Sequence, residues 1–259
     1  MKATLNGLNI TYRYHIAKSE AVTLLLHGWG GNLNSFRGLE NELAENDQSV
    51  LTLDFPGFGG SDMPKESFTL DDYYKIVLEL IQKLNIKKLN IVAHSFGGRI
   101  ALLLASKNAN LVHKLVLVDS AGLKPKYSFA KSFKIFHYKF LKKLKNAGII
   151  KRDLSGYGSS DYRAMPDELK PVFNNIVKTD LTYTLKRISC STLIVWGKDD
   201  TSTPYYMAKK LNKGIKDSAI ITFDGGHFAY LQNSNKFLII VNNFIKETAN
   251  ESIDEHIWF

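Results

Sequence analysis

Short apolar runs recur along this chain and alternate with longer amphipathic segments, and that pattern restricts the fold more than any other feature. Each run is four or five residues long and rich in Val, Ile and Leu. Strands without polar alternation are buried on both faces, as in a parallel sheet that helices cover on both sides. The predicted strands are Val22–Leu26, Val50–Leu53, Leu89–Ala93, Leu115–Val118, Thr192–Trp196 and Ala219–Phe223.

Helical patterns fill the segments between these runs. Leu70–Leu84 carries apolar residues at helical spacing, and Thr69 with Asp72 offers a capping arrangement at its start. Residues 95–106 and 235–246 are further predicted helices. Strand–helix–strand repetition implies right-handed crossovers and a parallel sheet, so we expect an α/β fold. Residues 1–15 alternate like two strands and predict an antiparallel hairpin at the sheet edge.

The alternation stops after Val118 and resumes at Thr192, which divides the chain. We interpret residues 122–188 as a helical cap or lid inserted above the sheet, and residues 1–121 with 189–259 as the core domain. The segment Lys124–Arg152 contains ten basic and no acidic residues, whereas the whole chain has a net charge of +9. Because the excess charge is local, a general nucleic-acid-binding surface is not expected.

The basic segment has two interpretations. Five apolar residues fall on one helical face, which favours an amphipathic lid helix with solvated lysines; they are Phe129, Phe133, Phe136, Phe140 and Leu144. The alternative is weak contact with anionic lipid, or steering of an anionic acyl substrate.

Composition excludes several other classes of protein. No apolar run approaches the roughly 20 residues that span a bilayer, and the first residues lack a signal-peptide pattern, so we expect a cytoplasmic protein. The single cysteine, Cys190, excludes an internal disulfide, and we expect it to be a buried core residue. No histidine pair has metal-ligand spacing, so neither a metal nor a cofactor is expected.

The first motif that carries chemistry is AHSFGG at residues 93–98, which follows a strand and opens a helix. Ser95 would occupy a sharp turn at the carboxyl edge of the sheet, where active sites of open α/β sheets gather. Small neighbours such as Gly97 suit that turn, and the helix N-terminus favours developing negative charge. The alternative is a buried serine that only caps the helix.

A second motif, HGWGG at residues 27–31, follows the first long strand. A glycine-rich loop here could turn the backbone N–H of Trp29 toward Ser95, beside the N–H of Phe96. Two such donors would form an oxyanion hole for a tetrahedral intermediate. The alternative is an ordinary strand-to-helix turn; a phosphate loop is excluded because no Gly-Lys-Ser/Thr follows.

Two further motifs, WGKDD at residues 196–200 and GGHF at residues 225–228, each follow a predicted strand. Because carboxyl ends of parallel strands share one edge, we expect Ser95, Asp200 and His227 to meet there. His227 would accept the proton of Ser95, and Asp200 would orient the imidazole.

Other residues near these motifs compete for roles. Asp199, which adjoins Asp200, and Asp119, which ends the sixth predicted strand, compete with Asp200 for the role of the acid. His27 is expected to hydrogen-bond the oxyanion loop, and His94 is interpreted as structural.

These motifs, together with DFPGFGGSD at residues 54–62, resemble the successive motifs of the α/β-hydrolase fold family, serine hydrolase and esterase type. The order Ser95, Asp200, His227 is the chain order of that family. The resemblance favours Asp200 as the acid over the weaker candidates Asp199 and Asp119, because its spacing from Gly197 matches that of the family. The resemblance spans residues 27–228 and implies a mostly parallel sheet of about eight strands, with helices on both faces and a helical lid. Ala93 departs from the family's usual glycine. A Ser nucleophile argues against the epoxide-opening and dehalogenating members, which use Asp.

The predicted function is therefore hydrolysis of a small-molecule carboxylic ester through an acyl-enzyme. Trp29, Phe96 and Phe228 are predicted to bind the substrate in an apolar pocket. Thioesterase, amidase or iminopeptidase, and carbon–carbon bond hydrolase are alternatives with the same three residues. A non-catalytic member that only binds a ligand is an alternative of another class. Substrate identity and oligomeric state do not follow from the sequence.

Overall fold

The predicted strands form one sheet in the computed structural model, which describes residues 1–65, 67–124, 141, 162 and 165–246. The strands are β1 Lys2–Leu5, β2 Leu8–His15, β3 Val22–Leu26, β4 Ser49–Leu53, β5 Leu89–His94, β6 Val112–Val118, β7 Ser191–Gly197 and β8 Ser218–Phe223. Their order in the sheet is β1-β2-β4-β3-β5-β6-β7-β8. From β4 onward every neighbouring pair is parallel, whereas β1 and β2 form the predicted antiparallel hairpin at one edge.

Helices cover both faces of this sheet. They are α1 Arg37–Glu45, α2 Leu70–Lys83, α3 Phe96–Lys107, α4 Leu169–Val177, a 3-10 helix Thr182–Arg187, α5 Tyr206–Gly214, α6 Ala229–Gln232 and α7 Ser234–Lys246. One apolar cluster joins α2, α3, α4 and α5 to strand residues such as Leu24 and Ile91. A second cluster joins α1, α6 and α7 to Leu25 and Val92. Successive strand residues thus enter opposite cores, as their continuous apolar runs require.

The local predictions agree with these elements, with one difference. Helix α2 begins with the expected capping box, in which Thr69 and Asp72 exchange hydrogen bonds. Strand β8 was predicted to be buried on both faces, but five of its six residues are only partly buried. It is the last strand of the sheet, so it has one neighbour instead of two.

Of the predicted lid, the structure describes residues 122–124, 141, 162 and 165–188. The predicted apolar face, formed by Phe129, Phe133, Phe136, Phe140 and Leu144, lies outside the described residues, as does nearly all of the basic segment. The assignment of residues 122–188 as a lid therefore stays a prediction. None of the helices that the structure describes is long and apolar enough to cross a membrane.

Candidate active site

Ser95 lies at the turn between β5 and α3, with backbone angles φ +47° and ψ −109°. A positive φ is uncommon for a residue with a side chain, and such strain persists only where the surroundings enforce it. The turn is tight because α3 approaches strand β3 closely. A Cβ atom at Gly97 would lie 2.4 Å from the carbonyl oxygen of Leu26, so glycine is required there. The predicted sharp turn is present.

The hydroxyl of Ser95 reaches an imidazole from the other end of the sheet. Ser95 Oγ lies 2.9 Å from His227 Nε2, and His227 Nδ1 lies 2.8 Å from Asp200 Oδ2. The three residues follow the carboxyl ends of β5, β7 and β8, as the motif positions predict. An ionised carboxylate only accepts hydrogen bonds, so Nδ1 carries the imidazole proton and Nε2 is free to accept from the hydroxyl.

Asp200 is held as an anion by several donors. Besides His227, the amides of Ser202 and Thr203 donate to Oδ1, and the Thr203 hydroxyl donates to Oδ2 across 2.6 Å. Burial opposes the charge, but the hydrogen bonds from His227 and Thr203 outweigh burial and lower the pKa of Asp200. Thr203 is not among the predicted site residues. The signal that could have identified it is its position three residues after Asp200, where an aspartate side chain commonly bonds to the backbone of a turn.

The two weaker candidates for the acid do not bond to His227. Asp199 is exposed, and its amide donates to the carbonyl of Gly225. Asp119 is buried behind Asp200, where its Oδ1 accepts from the amide of Gly197.

His27 supports the glycine-rich loop that follows β3. Its Nδ1 donates to the carbonyl of Gly28 across 2.7 Å, and its Nε2 accepts from the amide of Phe55 across 3.1 Å. An amide can only donate, so Nε2 is unprotonated and the tautomer is fixed. Burial lowers the pKa of His27 to about 4, which keeps the ring neutral. The predicted contact between His27 and its loop is therefore present.

The backbone amides of Trp29 and Phe96 are predicted to form an oxyanion hole. Trp29 lies in the glycine-rich loop after β3, and Phe96 directly follows Ser95. Phe96 is the first residue of α3, a position whose N–H has no partner within the helix. The amide of Trp29 forms no backbone hydrogen bond to the part of the chain that the structure describes. Neither amide thus has a backbone partner among the described residues, and their role as an oxyanion hole stays a prediction.

Aromatic side chains pack around Trp29. Its ring meets Phe58, Phe96 and Phe173 edge to face, with centroid distances of 4.9, 5.3 and 5.0 Å. Phe173 belongs to α4, which lies within the insertion after β6. Trp29 and Phe96 are predicted site residues, whereas Phe58 and Phe173 are not, because their contacts depend on tertiary packing.

Phe228 lies apart from this cluster. Its ring is 52% exposed and contacts His94 and His227, with centroid distances of 5.1 and 5.4 Å.

Comparisons with known proteins agree with this architecture. Residues 22–146 match the family model of the alpha/beta hydrolase fold. The hydrolase YugF of Bacillus subtilis is 26% identical over 94% of this chain and 96% of its own length. The 2-hydroxy-6-oxononadienedioate/2-hydroxy-6-oxononatrienedioate hydrolase of Escherichia coli K12 is 27% identical over 94% and 96% of the two chains.

A solved structure shares the fold. The esterase EaEST from Exiguobacterium antarcticum matches with a TM-score of 0.76 over 95% of this chain and 99% of its own, at 24% identity. The match to the family model, the relatives similar over nearly the whole chain and the eight-stranded sheet with helices on both faces together show the α/β-hydrolase fold.

Proposed function

We propose that the protein is a serine hydrolase that cleaves a small-molecule carboxylic ester through an acyl-enzyme. The observation that carries this proposal is the continuous hydrogen-bonded chain from Ser95 through His227 to Asp200, with both links shorter than 3.0 Å. A serine that only capped the helix would not need this chain of hydrogen bonds, and the side chain of Ser95 forms no capping hydrogen bond to α3.

In the first step, Ser95 Oγ attacks the acyl carbonyl carbon while His227 Nε2 takes the hydroxyl proton. Collapse of the tetrahedral intermediate breaks the bond to the leaving alkoxide, which receives that proton from Nε2. Water then attacks the acyl-enzyme by the same route and releases the acid. Asp200 keeps the proton of Nδ1 in place and stabilises the imidazolium that forms.

The negative oxygen of the intermediate would be held by the amides of Trp29 and Phe96. Donors of this kind are worth about 3–4 kcal/mol each in the transition state. The aromatic cluster around Trp29 supplies apolar surface for the acyl group, with Phe96 and Phe173 as its neighbours.

A burst assay tests the proposal. Wild-type protein should release p-nitrophenol from p-nitrophenyl acetate in a burst close to one equivalent, and a fluorophosphonate should label the peptide that contains Ser95. Ser95→Ala should abolish both signals. Ser106→Ala is the matched control, since that hydroxyl donates only to the Leu103 carbonyl on the same helix. Labelling that survives Ser95→Ala would refute the assignment.

Cleavage of a carbon–carbon bond is the second candidate function. It is favoured by the similarity, over nearly the whole chain, to the 2-hydroxy-6-oxononadienedioate/2-hydroxy-6-oxononatrienedioate hydrolase of Escherichia coli. A panel of an ester, a thioester, an amide and a vinylogous 1,5-diketone acid distinguishes the reactions by kcat/KM. A protein that binds members of this panel yet turns over none of them, with no labelling of Ser95, would instead be a non-catalytic binder.

A further inference from the structure

Asp119 ties the end of β6 to the end of β7, directly behind Asp200. Its amide donates to the carbonyl of Val195 across 3.0 Å, and its Oδ1 accepts from the amide of Gly197 across 2.8 Å. Its backbone has φ +42°, uncommon for a residue with a side chain. The residue is 1% exposed, so water does not compensate its charge. The surroundings hold this carboxyl group in one place.

The second oxygen of Asp119 is the unusual atom. Oδ2 is buried and accepts no hydrogen bond from the residues that the structure describes. Asp200 is its neighbour, because Thr203 Oγ1 lies 3.0 Å from the Asp119 carbonyl oxygen and 2.6 Å from Asp200 Oδ2. Besides burial, the charge of Asp200 and a hydrogen bond between the two carboxyl groups both raise the pKa of Asp119. A buried anionic oxygen without a donor, next to a second carboxylate, is strongly unfavourable. A proton on Oδ2 removes both problems, since it turns Oδ2 into a donor facing an acceptor.

The proton belongs on Asp119 and not on Asp200. Asp200 already accepts from His227, Thr203 and the amide of Ser202, which stabilise its charge. From the described part of the chain, the side chain of Asp119 accepts one amide hydrogen bond, at Oδ1. Burial, and then the charge of Asp200, raise the pKa of Asp119 to about 8, whereas the pKa of Asp200 is lowered.

We propose that Asp119 is a positioning residue that carries a proton at neutral pH and donates it in a hydrogen bond from Oδ2 to the Asp200 carboxylate. This inference rests on the proposed role of Asp200 beside His227. The hydrogen bond holds Asp200 in its charged form and orientation, in the way that an outer partner orients a functional carboxylate.

Ionisable groups reach Asp119 from each neighbouring element. Asp200 faces it from the loop after β7. His227, in the loop after β8, is hydrogen-bonded to Asp200, and His94 on β5 packs beside His227. Tyr230 faces it from α6; burial, and then the charge of Asp119, raise the pKa of that phenol. None of these described neighbours is a fixed cation, and the hydrogen bond from the Gly197 amide, which favours the ionised form of Asp119, is outweighed by burial and by the charge of Asp200.

Loss of the proton should impair the site. Above pH 8 Asp119 would become a second anion beside Asp200, and Asp200 would lose a donor. Asp119→Asn keeps a neutral donor toward Asp200 and an acceptor for the Gly197 amide at every pH. Asp119→Leu keeps the size of the side chain but removes both the donor toward Asp200 and the acceptor for the Gly197 amide.

The test measures kcat/KM for p-nitrophenyl acetate from pH 6 to pH 10 in wild type, both variants and the exposed control Asp199→Asn. Wild type and Asp199→Asn should fall about tenfold as pH rises through 8. Asp119→Asn should stay within threefold of its pH 7 value, and Asp119→Leu should lose at least tenfold at pH 7. Parallel profiles for wild type and Asp119→Asn would overturn the inference.

A readout without substrate separates this inference from the proposed function. Difference infrared spectra of the wild type between pH 6 and pH 9 should show a protonated buried carboxyl disappear, and Asp119→Asn should lack that band. If Ser95 proves unreactive but the band is present, the proposed function fails while the protonation of Asp119 stands. If Ser95 is reactive but the wild type shows no such band, only the inference about Asp119 fails.

Discussion

The ring of His94 donates a hydrogen bond from Nε2 to the backbone carbonyl oxygen of His227 across 2.9 Å. A carbonyl only accepts, so Nε2 carries the proton and the ring is the Nε2–H tautomer. The residue that precedes Ser95 thus fixes the loop that brings the imidazole to it. On its other side the ring fits against Gly28, where a Cβ atom would lie 2.7 Å from His94 Nδ1. His94 therefore ties together the serine turn, the oxyanion loop and the His227 loop.

We expect His94→Leu to lower kcat/KM by about tenfold to a hundredfold, since it removes the donor and loosens the His227 loop. His94→Gln places an amide donor near the position of Nε2 and should recover much of that loss. The measurement is ester hydrolysis by the two variants beside wild type, with circular dichroism to verify folding. Equal losses in the two variants would mean that the hydrogen bond to His227 does not matter.

Two buried neutral histidines should make the protein sensitive to acid. Burial lowers the pKa of His27 to about 4, and burial followed by the neighbouring His227 lowers that of His94 to about 3. The unfolded chain protonates near the ordinary value of 6.5, so it binds more protons than the native state as pH falls below that value. Stability is therefore lost on acidification, by roughly 2 kcal/mol per histidine at pH 5.

Urea unfolding of wild type and His94→Gln at pH 7 and pH 5 checks this expectation. The variant should lose about 2 kcal/mol less than wild type between the two pH values. Comparing the two proteins isolates the effect of the His94 imidazole on stability from that of other groups. Asp119 has the opposite effect, because its raised pKa makes its contribution to stability fall as pH rises. An identical loss in both proteins would show that His94 is protonated in the native state.

The fold was predictable because each strand is marked by its own composition. The predicted strand Val22–Leu26 has the same bounds in the structure, and the predicted start of the α2 helix follows from the local capping pattern of Thr69 and Asp72. Helix α1 was not predicted, since its apolar contacts rest mainly on Leu39 and Leu43.

A long-range ion pair supports α1 as well. Its buried Glu40 is paired with Arg13 of β2 at 2.6 Å, a contact between distant parts of the chain. Local periodicity cannot reveal such support.

The meeting of the three central residues of the candidate site was predictable in the same way. Ser95, Asp200 and His227 each follow a recognisable strand, so topology alone brings them to one edge. The way in which His94 and Asp119 support these residues was not predictable, because it depends on backbone atoms and burial. The His94 contact ends on a main-chain carbonyl 133 positions away. The pKa of Asp119 depends first on burial, which only the assembled sheet provides.

Thr203 offers a test of how Asp200 is held. Its hydroxyl donates to Asp200 Oδ2, so Thr203→Val replaces a donor with a methyl group of the same size. Hydrogen bonds to charged groups contribute about 1.5–3 kcal/mol, and the loss should appear in the free energy of unfolding at pH 7. We also expect kcat/KM to fall by about tenfold, because Asp200 is less well oriented toward His227.

Thr203→Ser is the matched control, since it keeps the hydroxyl and should retain most of both quantities. Urea unfolding and ester hydrolysis supply the two measurements. If serine and valine behaved alike, the methyl packing of Thr203 and not its hydroxyl would be what holds the loop.

Two glycine-to-alanine substitutions in helices should have opposite effects on the free energy of unfolding. At Gly97 an added Cβ would meet the carbonyl oxygens of Leu26 and His27 at 2.4 and 2.8 Å, and backbone atoms cannot rotate away. Helix α3 would have to move off β3 and carry Ser95 with it, so we expect a loss of about 1–3 kcal/mol in stability and a larger relative loss of kcat/KM.

At Gly38, in α1, an added Cβ would meet nothing within 4 Å. Gly38→Ala should therefore stabilise the protein by about 0.5–1 kcal/mol through helix propensity and leave kcat/KM unchanged. Urea unfolding and ester hydrolysis of both variants decide the matter. A Gly97→Ala protein as stable and active as Gly38→Ala would show that the close approach of α3 to β3 is not what fixes the strained turn at Ser95.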